Sequence, residues 1–348
     1  MTDVNKLLLV SPLPPPVGGI SSWTVEVMNQ LPNLGCEVLL VNSGIIGERA
    51  TNGKKVSITD EIKRALTIKK NIRSIIKKEK TPVIHYNASC FTMGLIRDFF
   101  ILFSFSGKAG IVYHCHCNLA TNVNNTLAEF FFKRICRISK RILVLNENSL
   151  SFAKKYTDKA LILPNFIDKV YADEANVREE LKNIAFVGRV TEEKGIFELI
   201  EASKKLPDVN FHIIGPDENN ILSQYKVKNI IYEGAMSHEK VLERLKEMDA
   251  LVLPSYSEGF PLVVLEAMAC GIPIISTPVG SVPDMIGEEG GVLVKFKDSD
   301  AIAEAVGKIK NKEIRLNMAR YNLEKVKKEY LCQTVLNQLL EIYGEAGR

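Results

Sequence analysis

Three short stretches of this sequence put charged or flexible residues where chemistry would use them. The first is Pro14-Pro15-Pro16-Val17-Gly18-Gly19-Ile20-Ser21-Ser22, between an apolar run and a segment of helical period. Adjacent glycines let backbone N–H groups come close to a ligand, and a helix N-terminus favours negative charge there. A tight turn with a serine N-cap explains the same residues equally well. The second stretch, FVGRVTEEKG (186–195), ends an apolar run at Gly188 and follows it with Arg189 and Lys194. Two cations at the ligand edge of a sheet suit a diphosphate, and arginine can hold two oxygens at once. The competing explanation is a solvated Arg189 paired with Glu192 or Glu193. The third is PSYSEGFPLVVLEAMACGIP (254–273), where a loop carries Glu258 and Pro261 stands at a helix start. Glu266 lies inside that otherwise apolar helix, and a carboxylate there needs a partner. Vicinal hydroxyls of a sugar or ribose would serve, as would an Arg or Lys from a neighbouring element. Free N–H groups at the start of this helix, around 260–262, offer themselves to an anion.

The elements that must position these residues alternate in type along the chain. Strand-length apolar runs fall at Lys6–Val10, Val38–Val41, Pro82–His85, Gly110–His116, Ile142–Leu145 and Leu161–Pro164. A second series follows at Ile184–Val187, Asn210–Ile214, Asn229–Tyr232, Ala250–Pro254, Pro273–Ser276 and Gly291–Val294. Helical period separates most of them, as in Gly195–Lys205 and Pro261–Cys270. Near-continuous apolar strands between helices indicate parallel sheets covered on both faces. Twelve strands exceed one typical open sheet, and the polar, acidic segment Asn165–Lys182 divides them as a linker would. The expected fold class is α/β, two Rossmann-like doubly wound domains whose strand C-termini face a shared cleft. An eight-stranded barrel fits poorly, because each series restarts with its own glycine-containing turn.

Composition narrows the function classes. The 348 residues are 46% hydrophobic and 25% charged, as in a soluble globular protein. The first residues, MTDVNKLLLVSPLPPP, lack a basic stretch before a short apolar run and do not read as a signal peptide. The most apolar stretch, Phe91–Cys117, is interrupted by Arg97, Asp98 and Lys108, so no spanning helix is expected. Seven cysteines at irregular spacings read as reduced thiols, and the expected location is the cytoplasm. Residues 1–170 carry 23 Lys and Arg against 12 Asp and Glu, the remainder 22 against 29. Such asymmetry suggests that the first half meets an anionic surface.

The spacing of Glu258 and Glu266 encloses seven residues, and this E-x7-E pattern resembles that of retaining glycosyltransferases of family four, with the GT-B fold. FVGRVTEEKG resembles the diphosphate-binding segment of that family, and LPSYSEGFPLVVLEAMACGIPIISTPVGSVPDMI (253–286) its donor-site core. LPNFID (163–168) is similar to the domain-junction motif, with Phe166 where glycine is common. The similarity is strong over 183–295 and looser over 1–165. It implies an acceptor-side domain over 1–168, a nucleotide-sugar-binding domain over 169–325, and a helix over 326–348 that returns to the first. It further implies that Arg189 and Lys194 hold the donor diphosphate and that Glu266 bonds the ribose. Glu258, with the backbone of Gly259 and Phe260 and the helix start at Pro261 and Leu262, positions the donor sugar. Gly18 and Gly19 then bring backbone to the phosphates. A histidine at a first-domain strand end is also expected near the sugar. In Tyr113-His114-Cys115-His116-Cys117, alternation puts the histidines on one face and the cysteines on the other. His116 matches that position better than His114, and His85 reads as a hydrogen-bonded core residue. The donor, a UDP-sugar by the commonest expectation from the resemblance, is a substrate, and no cofactor is implied.

Metal sites are disfavoured on the residues. Adjacent ligands on opposite faces, as at 114–117, cannot close a tetrahedron around zinc. Asp298-Ser299-Asp300 has the spelling of a metal-binding motif of another transferase fold, but it precedes a helix and reads as an N-cap. On the acceptor side, residues 61–80 hold eight Lys and Arg against two Glu in an amphipathic pattern, and 126–145 add Phe130, Phe131 and Phe132 beside five cations. Basic amphipathic helices with aromatics read as membrane-surface elements, or equally as solvated helices over a core. Nucleic acid is not expected, since no recognition motif accompanies the charge. The expected partners are a nucleotide sugar, a saccharide or lipid-linked acceptor, and the anionic cytoplasmic face of a membrane. Rival readings are a nucleotide-sugar epimerase of the same architecture and a silent nucleotide-sugar-binding scaffold. A nicotinamide oxidoreductase is disfavoured, because the G-x-G-x-x-G fingerprint is missing.

Overall fold

The computed structural model describes residues 4–15, 18–44, 58–79 and 83–348. Pro16 and Val17 of the first glycine turn, Lys80 of the basic segment and Pro82 of the third expected strand lie outside the described residues. The chain forms two compact units, 1–165 with 335–348, and 166–334.

In the first unit the order is β1 (Lys6–Ser11), α1 (Gly19–Gln30), β2 (Glu37–Asn42), α2 (Ile58–Glu79), β3 (Val83–Ala88) and α3 (Thr92–Phe103). There follow β4 (Gly110–Cys115), α4 (Leu119–Asn122), α5 (Thr126–Ile138), β5 (Arg141–Val144), α6 (Glu147–Ala153) and β6 (Ala160–Ile162). All pairings are parallel, in the order β2-β1-β3-β4-β5-β6. Every residue of β3 and β4 is buried, as continuous apolar runs require when helices cover both faces. Pleating sends Ile84, Tyr86, Ile111, Tyr113 and Cys115 into a core with Ile72, Leu95, Leu102, Phe132 and Ile135 of α2, α3 and α5. The alternate residues, His85, Asn87 and His114, face the other side.

One charge inside that core organises the α3 side. Asp98 is fully buried and accepts hydrogen bonds from Tyr86 Oη at 2.6 Å and Tyr113 Oη at 2.9 Å, while Arg97 binds it at 2.8 Å. Arg97 in turn reaches Glu61 of α2 at 3.2 Å.

The second unit comprises β7 (Asn183–Val187), α7 (Ile196–Lys204), β8 (Asn210–Ile214), β9 (Ile230–Gly234), α8 (His238–Leu245), β10 (Ala250–Leu253) and α9 (Leu262–Ala269). It continues with β11 (Ile274–Ser276), α10 (Val282–Ile286), β12 (Gly291–Leu293), α11 (Ser299–Ile309) and α12 (Lys312–Lys325). Its parallel strands lie in the order β12-β11-β10-β7-β8-β9. All twelve expected strands are therefore present among the described residues, with ends shifted by at most three residues. Asp298 does cap α11, accepting from Ala301 N at 2.8 Å.

The boundaries differ from the sequence reading, for identifiable reasons. The segment after Asn165 is polar but docked, not a free linker. Ile167 N–H binds Tyr330 O at 2.9 Å, Tyr171 N–H binds Ala269 O at 2.8 Å, and buried Asp249 accepts from Lys182 N and Asn183 N. Residues 326–334 stay with the second unit, because Val326 and Tyr330 are buried and Ile167 pairs with Leu331. The final helix, α13 (Cys332–Ala346), spans the division, and from Val335 onward it belongs to the first unit. There Tyr343 Oη reaches His85 at 2.8 Å and Arg141 binds Glu345 at 2.8 Å.

Asp98→Ala leaves two buried phenols and a half-buried guanidinium without their acceptor. It should cost about 3–5 kcal/mol in urea unfolding, and Asp98→Asn less, since an amide oxygen still accepts. Unchanged stability in both variants would show that this cluster does not hold α3 to the sheet.

Candidate functional site

In the second unit the connection from β7 leaves toward β8 and the one from β10 toward β11, on opposite sides. At such a reversal no helix covers the strand ends, and a crevice opens where α/β sheets take ligands. The segments that begin at Gly188 and at Pro254 both start there. They are held to each other: Tyr256 N–H binds Glu193 O at 2.8 Å, and Tyr256 Oη donates to Glu198 of α7 at 2.6 Å. Gly195 has φ +74°, and a Cβ on it would stand 2.2 Å from Pro254 O, so only glycine lets the loops approach. Gly280, with φ +53°, sits in the same way on the carbonyls of Glu258 and Gly259. The next residue, Ser281, donates to Gly259 O from both N at 2.9 Å and Oγ at 3.0 Å.

These restraints bring Lys194 and Glu258 together, Nζ to Oε1 at 2.5 Å, with side chains 24% and 13% exposed. An ammonium has three protons, so this bond leaves two for other acceptors, and Glu258 Oε2 has no partner among the described residues. Arg189 is exposed at the edge of the same loop. It makes no ion pair with Glu192 or Glu193 among the described residues. Phe260 is buried and its ring meets Tyr330 at 6.0 Å, which anchors the entry to α9. Pro261 is the N-cap of α9 and Leu262 its first residue, half-buried. Glu266, in the middle of α9, is paired not with an Arg or Lys but with His238, Nε2 to Oε1 at 2.8 Å.

The first unit has its own reversal between β1 and β3. Gly18, not a serine, caps α1, and Ser21 closes the turn by accepting from Gly18 N at 2.9 Å and donating to Gly18 O at 3.0 Å. A Cβ at Gly18 or Gly19 would meet nothing within 4 Å, so the protein's own packing does not require glycine at either position. His114 is fully buried, whereas His116, just past β4, is half-buried with its N–H on Ala88 O at 2.9 Å. Their rings lie 3.9 Å apart, and Trp23 of α1 stacks on His85 at 5.2 Å.

Hydrogen bonds fix the protons in this cluster. Asn87 Nδ2 donates to Ser11 Oγ at 2.8 Å, so Asn87 Oδ1 is the acceptor for both His85 Nε2 at 2.9 Å and His116 Nε2 at 3.0 Å. Both imidazoles therefore carry their proton on Nε2 when neutral. Tyr343 then donates to His85 Nδ1, and the lone pair on His116 Nδ1 is left as an acceptor. Burial pushes His85 down to about 3, and burial together with the nearby His85 does the same to His116.

Sequence reasoning does not reach Asn87, Tyr343 or His238. Asn87 looks like one more residue of a buried strand, and the other two act only through contacts across 258 and 28 positions. Neutral histidines in the fold contribute stability that is complete above their ordinary value of about 6.5 and falls as pH drops toward 3. The unfolding free energy from urea titrations should fall below pH 6.5 by up to about 1.4 kcal/mol per pH unit for each histidine. His85→Gln should flatten that slope, and an identical slope in the variant would contradict the assignment.

Comparison with known proteins follows from this geometry. The family profile described as glycosyl transferases group 1 matches residues 169–326, the second unit almost from end to end. The chain is 39% identical over 132 residues to the putative teichuronic acid biosynthesis glycosyltransferase TuaC of Bacillus subtilis, covering 37% of this chain and 33% of that protein. An uncharacterized glycosyltransferase of Methanocaldococcus jannaschii is 26% identical over 98% of this chain and 99% of its own length. N,N'-diacetylbacillosaminyl-diphospho-undecaprenol alpha-1,3-N-acetylgalactosaminyltransferase of Campylobacter jejuni is 32% identical, covering 46% of this chain and 44% of that protein. Among solved structures, sucrose-phosphate synthase from Thermosynechococcus elongatus superposes with a TM-score of 0.77 at 17% identity, covering 97% and 98% of the two chains. Anabaena HepE, solved with UDP and glucose, gives 0.70 at 14% over 97% and 98%. The architecture is that of GT-B glycosyltransferases, with two Rossmann-like domains. The second unit is therefore similar to glycosyl transferases group 1, and the full-length relative carries a glycosyltransferase name.

Proposed function

We propose that the chain is a retaining, metal-independent glycosyltransferase. On this reading it moves a sugar from a nucleoside diphosphate, with UDP the expected carrier, to a hydroxyl of a saccharide or lipid-linked acceptor at the cytoplasmic face of a membrane. The observation that carries the reading is the placement of Arg189, Lys194 and Glu258 around one sheet crevice in the family domain, with Glu266 on the helix that opens from it. Arg189 and the two remaining Lys194 protons would bind the diphosphate and stabilise it as it leaves. Glu266 would accept from the ribose hydroxyls, with His238 holding its other oxygen. Glu258 and the backbone of Gly259 and Phe260 would orient the sugar, and the α9 N-terminus at Pro261 and Leu262 favours the anionic end. In the first unit, Gly18 and Gly19 are assigned to the phosphates, and His116 Nδ1 to a sugar hydroxyl as acceptor.

The acceptor oxygen bonds to the anomeric carbon on the face from which the diphosphate departs. The bond to the diphosphate oxygen breaks, and that oxygen takes the acceptor proton, so no side chain needs to serve as base. The name of the Bacillus relative refers to teichuronic acid and that of the Campylobacter relative to a diphospho-undecaprenol. Both favour a role in surface polysaccharide synthesis.

A panel of nucleotides and nucleotide sugars, read by thermal unfolding, tests the donor site. One nucleoside diphosphate family should raise the midpoint, the shift should be absent in Arg189→Ala and Glu266→Ala, and chelator should not alter it. No shift with any member, on folded protein, would overturn the reading.

A further inference from the structure

Helices α2, α3 and α5 share one face of the first unit's sheet, and their outer surface is unlike that of an ordinary solvated layer. The sequence of α3, TMGLIRDFFILF, has two charged residues, and both are spent inward on each other, on Glu61 and on the Tyr86 and Tyr113 hydroxyls. What α3 turns outward is Met93, Phe100 and Phe103, 52%, 60% and 60% exposed. Leu127 and Phe130 of α5 continue the surface, and Ile62 and Leu66 of α2 flank it. The rings form one unbroken ridge. Phe103 meets Phe99 at 5.5 Å, Phe99 meets Phe100 at 5.5 Å, Phe100 meets Phe131 at 6.0 Å, and Phe131 meets Phe130 at 5.2 Å. Phe132, by contrast, is core, so of the three consecutive phenylalanines in α5 Phe130 alone is exposed.

Cations outnumber carboxylates next to this ridge. Arg134 stands 4.2 Å from the Phe130 ring centroid, and Lys133 and Arg137 are exposed on the same helix. Beyond the end of α5, Lys108, Arg137, Lys140 and Lys159 line a cavity of about 550 Å³ that no Asp or Glu side chain enters. Glu129, the acidic residue of α5, is bonded to Tyr156 at 2.6 Å. An aromatic ridge that runs into an excess of cations complements a surface that is apolar within and anionic at its rim. No helix among the described residues is long and apolar enough to cross a membrane, so the contact is with a surface.

We propose that the α2–α3–α5 face of the first unit docks on an anionic lipid bilayer. The Phe103-to-Phe130 ridge enters the interface, and the cations at the end of α5 and in the adjoining cavity take headgroup phosphates. This deepens the reading of a membrane-borne acceptor, and it is tested by lipid association alone, so the two readings fail separately.

The test is flotation of the full chain with phosphatidylcholine vesicles, with and without phosphatidylglycerol. The parent should float with the anionic vesicles and lose that association in high salt. Lys133→Gln with Arg134→Gln should weaken it by about tenfold or more, and Phe100→Ser with Phe103→Ser should abolish it. Tyr232→Ser, at an exposed ring of the second unit, should leave it unchanged. A thermal unfolding midpoint equal to the parent's certifies each variant as folded. Flotation that ignores both double variants, or none with anionic vesicles, overturns the proposal. So does a parent that self-associates in sedimentation and becomes monomeric in Phe100→Ser with Phe103→Ser, which would make a second copy the occupant.

Discussion

Two adjacent parallel strands whose connections depart in opposite directions leave their ends uncovered, and this constraint at β7 and β10 shapes the second unit. The loops that start there must approach closely without a helix between them. Gly195 resting on the Pro254 carbonyl and Gly280 on the Glu258 and Gly259 carbonyls are the steric terms of that approach. A side chain at either place would push the loops apart, and with them Lys194 and Glu258. The ion pair is thus a product of backbone packing rather than of two flexible side chains finding each other in solvent. This is why it can hold a defined orientation while both groups keep unused protons or lone pairs.

In the first unit the same topological feature is filled differently. A directional run of hydrogen bonds passes from Tyr343 through His85 to Asn87, on to Ser11 and Thr24, and ends at Ile20 O. Each donor has one acceptor, and of the two rings bonded to Asn87 Oδ1, that of His116 has its Nδ1 lone pair without a partner among the described residues. Low polarity around the rings keeps both histidines neutral near pH 7, which suits a group that is to accept a hydroxyl proton in a hydrogen bond rather than carry charge. The opposite face of the sheet is organised by a buried carboxylate, Asp98, which draws the charges of α3 inward. Its consequence appears on the surface, where the large side chains that α3 exposes, Met93, Phe100 and Phe103, are all apolar.

Much of this was legible in the residue pattern. Near-continuous apolar runs such as those at 82–85 and 110–116 could be little else than strands covered on both faces, and Gly188 and Pro254 marked where two of them end. The charged residues beyond those ends were visible by type and spacing. What the pattern did not disclose is who touches whom. Glu266 faces His238 because α8 packs beside α9, a fact of sheet order. Residues 166–182 are polar in composition yet docked, since their polar groups bind Asp249, Ala269 and Tyr330 rather than water. Gly18 replaces a serine as the α1 cap, because Ser21 supplies the oxygen from three residues further on.

The central claim is that the crevice between β7 and β10 receives a nucleoside diphosphate. Hydrogen–deuterium exchange of the full chain with and without UDP, extended to GDP and ADP, addresses it directly. The account predicts slowed exchange confined, in the second unit, to the loop after β7 through Gly195 and to the turn from Glu258 into the first residues of α9. Protection centred instead on β8, β9 or the 171–178 segment, with those two loops unchanged, would contradict it.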